Sequence, residues 1–121
     1  MQYVMLIYLD SQRWSALSTD ERNRVHQDCG AWHEALVKSG HSRNAVGLQP
    51  VSTATTLRET NGKTMITDGP FAETKEVLGG FEMLECVNLD EAIAIAKRFP
   101  GLRAGCAVEL RPHVPGNECK D

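Results

Sequence analysis

With 121 residues, 41% of them apolar and 24% charged, the chain has the composition of one globular domain. Such a length buries roughly two-thirds of the unfolded surface in a single core. A formal charge of −3 and a pI near 5.8 leave no basic footprint for nucleic acid. No apolar run is long enough for a bilayer span, so no membrane partner is expected. Met1 to Tyr8 has neither the charged nor the small-residue segment of an export signal, which makes a cytoplasmic protein the expectation. The four cysteines, Cys29, Cys86, Cys106 and Cys119, show no C-x-x-C spacing and are expected as reduced thiols.

Tyr3 to Leu9 is a β-branched and aromatic run bounded by Asp10-Ser11, apolar on both faces, and predicts a central strand. Ser18-Thr19-Asp20-Glu21 reads as a capping box opening a helix, with Val25, Cys29, Trp32 and Leu36 on one stripe and Gly40 as its stop. A Gly- and Pro-marked connection, Gly47 to Pro50, leads to a predicted strand from Val51 to Glu59. Asn61-Gly62 then signals a hairpin into a short strand, Thr64 to Thr67. Leu78 to Val87 is the next strand, with Gly79-Gly80 permitting a bulge or a close backbone approach. Asn88 to Glu91 repeats the capping logic for a helix with Ala92, Ile95, Ala96 and Phe99 inward, ended by Pro100-Gly101. Cys106 to Arg111 forms a last strand, and the polar segment His113 to Asp121 is expected to fray.

The predicted order is βαβββαβ: an α+β, ferredoxin-like single domain with two helices on one face of an antiparallel sheet. Phe81, Met83 and Val87 share one side of their strand, while Leu84 and Cys86 share the other. A sheet apolar on both faces exposes a large patch unless something covers it, and a second copy in a two-fold homodimer would do so.

The run from Asp68 through Gly69-Pro70-Phe71 to Gly79-Gly80-Phe81 sets Asp68, Glu73, Lys75 and Glu76 into turn chemistry beside an aromatic ring. It resembles the signature of the YCII-related, DGPF-type family. The resemblance extends over Met1 to Tyr8, Gly47 to Pro50, Asp90-Glu91-Ala92 and Val108 to Pro112. One departure is Asn44-Ala45-Val46-Gly47-Leu48, where members of that family show a Gly-Gly-x-x-Leu pattern. The resemblance implies a dimeric α/β barrel with a pocket between sheet and helices or at the seam. It implies relatives with a proposed His–Asp pair, a dehalogenating enzyme of aromatic breakdown, and members found with ECF-type sigma factors.

Among candidate groups, Asp68 is an Asx-turn residue or, beside Phe71, a proton acceptor. His26 and His33 are seven positions apart and flank the helix stripe. The bland reading makes them boundary residues, and the sharper one pairs His26 with Asp68 as a general base. Glu73, Lys75 and Glu76 are a solvated charge run or a ligand-gating loop. Arg58 and Arg111 are carboxylate clamps, or partners of nearby acids such as Glu109. A metal site from His26, His33, Glu34, His41 or His113 lacks any supporting spacing, and no cofactor is implied. Two function classes follow. One is proton-transfer, isomerase or lyase chemistry on a small anionic organic compound, with Asp68 and His26 catalytic and Phe71, Glu73, Lys75, Arg58 and Arg111 binding it. The other is a non-catalytic ligand-binding or regulatory module.

Overall fold

The computed structural model describes residues 1–116, so part of the expected frayed segment, from residue 117 on, lies outside the described residues. Its strands are β1 (Gln2–Asp10), β2 (Ser42–Gly47), β3 (Thr55–Thr60), β4 (Lys63–Asp68), β5 (Glu76–Glu85) and β6 (Ala107–Pro112). Its helices are α1 (Ser11–Ser15), α2 (Thr19–Lys38) and α3 (Leu89–Lys97). The main sheet is antiparallel, in the order β2-β5-β1-β6. This is the ferredoxin-like α+β arrangement.

Local chemistry sets the helix bounds. Ser18 Oγ accepts from the Glu21 backbone N–H at 3.1 Å, satisfying one free donor at the start of α2. At the far end Gly40 takes φ +81°, while His41 N–H reaches Leu36 O and Gly40 N–H reaches Val37 O. That pair of bonds is a Schellman motif, and it reverses the chain directly into β2. Asn88 caps α3 through its side-chain oxygen, and the Glu91 carboxylate reaches back to the Val87 N–H at 3.0 Å.

The core lies between the helices and one sheet face. Tyr3 and Met5 of β1, Leu84 of β5 and the adjoining Cys86 meet Leu36 of α2 and Ala92, Ala96 and Phe99 of the α3 region. Trp32 bridges the helices: its indole N–H donates to Ile95 O and its ring packs edge-on against Phe99 at 5.2 Å. The opposite sheet face follows from the alternation. Val4, Leu6 and Tyr8 of β1 lie beside Met83, Phe81 and Leu78 of β5, with Val46 of β2 next to Phe81.

Two expectations are corrected. The edge strand beside β5 is Ser42–Gly47, a stretch between the helix stop Gly40 and the Gly47–Pro50 connection where no strand was expected. Its mostly polar sequence hides an antiparallel backbone pairing with β5. The expected strand from Val51 begins at Thr55, because Val51–Thr53 forms a single 3-10 turn held by Thr53 Oγ1 donating to Pro50 O. β3 and β4 pair only with each other, through a turn in which Asn61 and Gly62 both take positive φ, as their Asn-Gly pair predicts. The short helix α1 was not anticipated: Asp10 ends β1 and caps it, accepting from the N–H groups of Gln12 and Arg13.

The Gly79-Gly80 expectation is met on both counts. Ile7 pairs Gly80 and Tyr8 pairs Leu78, leaving Gly79 as the extra residue of a bulge. A Cβ at Gly80 would stand 2.6 Å from the Val46 carbonyl oxygen, so strands β2 and β5 approach there only because no side chain intervenes.

Candidate functional site

The bulge and the helix α2 hold apart the two walls of a cavity of about 490 Å³. That is the size of a small-molecule site. The sheet wall carries Ile7, Leu9, Ala45 to Leu48, and Gly79 to Glu82. The helical wall carries Val25, His26, Cys29, Gly30, Trp32 and His33, and Trp14 of α1 and Phe99 close its sides. The lining is apolar and aromatic, with three ionisable exceptions besides the thiols: His26, His33 and Glu82.

Glu82 occupies a core-facing position of β5, paired with Met5, and only 4% of it is exposed. A carboxylate there needs partners, because an unpaired buried charge is costly. It has two: His33 Nδ1 lies 2.7 Å from Oε1, and Ser42 Oγ donates to the same oxygen at 2.6 Å. β2 thus supplies the hydroxyl, β5 the carboxylate and α2 the imidazole. An ionised Glu82 can only accept, so a neutral His33 bonded to it donates from Nδ1 and keeps the Nε2 lone pair free. This is the arrangement by which a carboxylate fixes the tautomer of a general-base histidine. His26 is nearly two helical turns nearer the start of α2, with its ring edge-on to Trp14 at 5.1 Å.

The two thiols of the cavity, Cys29 and Cys106, differ from it chemically. Burial raises both above the ordinary thiol range, and Cys106 is pushed up to about 11 by burial and the neighbouring Cys29. They remain protonated near neutral pH, as expected for Cys29 from its place on the inward stripe.

The other anticipated groups lie elsewhere. Asp68 ends β4 on the detached hairpin, exposed and outside the cavity wall, and its carboxylate accepts no hydrogen bond among the described residues. The turn after it rests on Gly69, at φ +97°, whose N–H donates to Ala54 O and whose carbonyl accepts from Thr56 Oγ1. His26 therefore lines the cavity without Asp68, and the cavity histidine that meets a carboxylate is His33. Phe71 is exposed, with the Arg58 guanidinium 6.0 Å above its ring and Arg58 Nη2 donating to its carbonyl. Arg111 pairs with Glu109 at 2.7 Å, as their spacing on one strand face allows. Glu73 is exposed. Lys75 reaches to 3.9 Å from Asp10, the buried cap of α1, and so connects the signature loop to the helix bearing Trp14. None of these five lines the cavity. Among the described residues no three His, Cys, Asp or Glu side chains group as a metal site, and no helix is long and apolar enough to cross a membrane.

Glu82 and Ser42 are the members of the His33 cluster that sequence reasoning missed. The signal was present: Glu82 shares strand parity with Leu84 and Cys86, so an acid stands in the inward phase of an apolar strand.

Comparison with known proteins places the chain. The model of the YCII-related domain matches residues 1–113. The uncharacterized protein R00369 of Rhizobium meliloti (strain 1021) is 42% identical over 113 residues, covering 93% of this chain and 91% of that protein. Among solved structures, a similar fold occurs in the 5-chloro-2-hydroxyhydroquinone dehydrochlorinase TftG of Burkholderia phenoliruptrix AC1100, in complex with 2,5-dihydroxybenzoquinone. The TM-score is 0.57 and the identity 16%, with 96% of each chain covered. At that identity the likeness is one of fold. With its signature run, its sheet order and a family match across nearly its whole length, the chain belongs to the YCII-related domain family.

Proposed function

We propose that this protein binds a small planar organic molecule in the cavity beneath α2 and moves a proton on it with His33. The observation that carries the reading is the 2.7 Å contact between His33 Nδ1 and the buried Glu82 carboxylate, inside an otherwise apolar and aromatic cavity. Nε2 takes a proton from a ligand hydroxyl, or from a carbon next to a carbonyl. Glu82 then faces the imidazolium across the hydrogen bond and stabilises it. The same proton returns to another atom of the ligand, which is an isomerisation, or to a departing group, which is an elimination. Ser42 holds the carboxylate in place throughout. A positioned base of this kind contributes about 10²–10⁴-fold in rate.

Trp14, Trp32 and Phe99 suit a flat ring, and among the described residues no arginine or lysine lines the cavity. An anionic ligand is therefore read as one made by its own acidic hydroxyl groups, as in hydroxylated quinones, with the imidazoles as its counter-groups. TftG binds such a compound, 2,5-dihydroxybenzoquinone, on a similar fold. Both tryptophans of the chain line the cavity, so binding should quench their fluorescence. Hydroxylated benzoquinones should quench the wild type, and chlorinated hydroxyhydroquinones should quench it and be converted with loss of HCl. His33→Gln should keep binding within a few-fold and lose conversion. Quenching without conversion by the wild type would favour the non-catalytic module.

The reading includes a two-fold homodimer. Val4, Leu6, Tyr8, Leu78, Phe81 and Met83 form an apolar band on the sheet face away from the helices, with Glu85, Glu109 and Arg111 around it. Face-to-face pairing of two such sheets would bury it and leave the helices and their cavities outside.

A further inference from the structure

Five glycines line the cavity: Gly30, Gly47, Gly79, Gly80 and Gly101. Three are crowded by neighbouring atoms. A Cβ at Gly79 would lie 2.5 Å from Leu9 Cδ1, one at Gly80 2.6 Å from the Val46 carbonyl oxygen, and one at Gly101 2.4 Å from the Phe99 ring. Gly30 is different. It sits inside the 20-residue helix α2, where glycine is a poor choice because its backbone loses the most freedom on ordering. Its φ is not positive, and a Cβ there would meet nothing within 4 Å. Neither backbone geometry nor packing asks for a glycine at this position.

What Gly30 leaves open is ligand space. His26, Gly30 and His33 are spaced i, i+4 and i+7 and share one stripe of α2, and all three line the cavity. The missing side chain is therefore the one that would stand between the two imidazoles. We propose that Gly30 is a specificity-determining residue: it opens a slot between His26 and His33 that admits the edge of a six-membered hydroxylated ring, so that both imidazoles reach the same ligand. The proposal rests on the cavity being the ligand site. It adds that the helix accepts a local loss of stability to keep the slot clear, and that ring width is selected at this one position.

The test uses the full chain with 2,5-dihydroxybenzoquinone as probe, tryptophan quenching for affinity and thermal unfolding for stability. Gly30→Ala should raise the melting temperature by a few degrees, since alanine is the better helix former. It should also weaken probe binding by about tenfold. Gly30→Leu, filling the slot, should weaken binding by about a hundredfold or more. A melting temperature that falls in Gly30→Ala overturns the proposal, because the glycine then serves the fold. Wild-type affinity in a stabilised Gly30→Ala and in Gly30→Leu also overturns it, while leaving the cavity reading intact. Failure of the wild type to bind the probe overturns the cavity reading, and the slot falls with it.

Discussion

His33 and Glu82 are 49 positions apart in the chain, and their Nδ1 and Oε1 atoms are 2.7 Å apart. One belongs to the long helix and the other to a central strand of the sheet, so only the packing of α2 across β5 brings them together. Glu82 is buried, while the imidazole keeps a 40% exposed side chain on the cavity side of the pair. A rigid acceptor beneath a reachable ring is what fixes one nitrogen and frees the other.

Glu82→Gln preserves shape and volume but removes the charge that faces an imidazolium. Turnover on any substrate found should fall by about 10²-fold or more, with ligand affinity changed far less. Glu82→Ala leaves His33 and Ser42 without their shared acceptor and should destabilise the fold by about 1–3 kcal/mol in chemical denaturation. Unchanged turnover in Glu82→Gln would contradict the role given to the pair.

Asp68→Asn should leave stability within about ±0.5 kcal/mol, because the carboxylate is exposed and accepts no hydrogen bond among the described residues. Gly69→Ala should cost more, through its φ of +97°. A comparison of the two by thermal unfolding separates the turn from the charge. A large loss from Asp68→Asn would show a partner for Asp68 that the single chain does not supply.

Cys106 should resist alkylation in the native protein. With its pKa at about 11 against an ordinary 9.0, the thiolate fraction at pH 8 is roughly one in a thousand instead of one in ten. The folded chain holds this proton more tightly than the unfolded chain does. The thiol therefore has no effect on stability well below pH 9 and lowers it as pH rises above 9. Iodoacetamide labelling followed by mass spectrometry, native against denatured, checks the first statement. Rapid native labelling of Cys106 at pH 8 would contradict it.

Much of the fold was legible in the residues. The capping serines and asparagines, Gly40, the Asn61-Gly62 turn and the two inward helix stripes each carry a local cause. The position of β2 was not, because Ser42 to Gly47 has one β-branched residue, Val46, among polar and small ones, and its pairing depends on where β5 runs. The site was half legible. His26 and His33 stood out on one helix face, but their partner depended on how that helix packs. The signature loop drew attention to Asp68, whereas the buried acid of the cavity was Glu82, marked only by its inward phase among apolar neighbours. Helix α1 has five residues, too few for any periodicity to show.

Phe81→Asp places a charge in the middle of the apolar face of β5, opposite Leu6. The wild type should sediment at about twice the 13.4 kDa chain mass, and the variant near that mass itself. A monomeric wild type at micromolar concentration would contradict the dimer.

The most direct test of the account is the state of the two His33 nitrogens, read by long-range ¹H–¹⁵N correlation spectroscopy of imidazole-labelled protein near neutral pH. Without ligand, His33 should carry its proton on Nδ1, toward Glu82, with Nε2 bare. Saturating 2,5-dihydroxybenzoquinone should move Nε2 toward the protonated or hydrogen-bonded range while Nδ1 keeps its proton. The opposite tautomer, or an Nε2 signal that does not respond to bound ligand, would contradict His33 as the group that moves the proton.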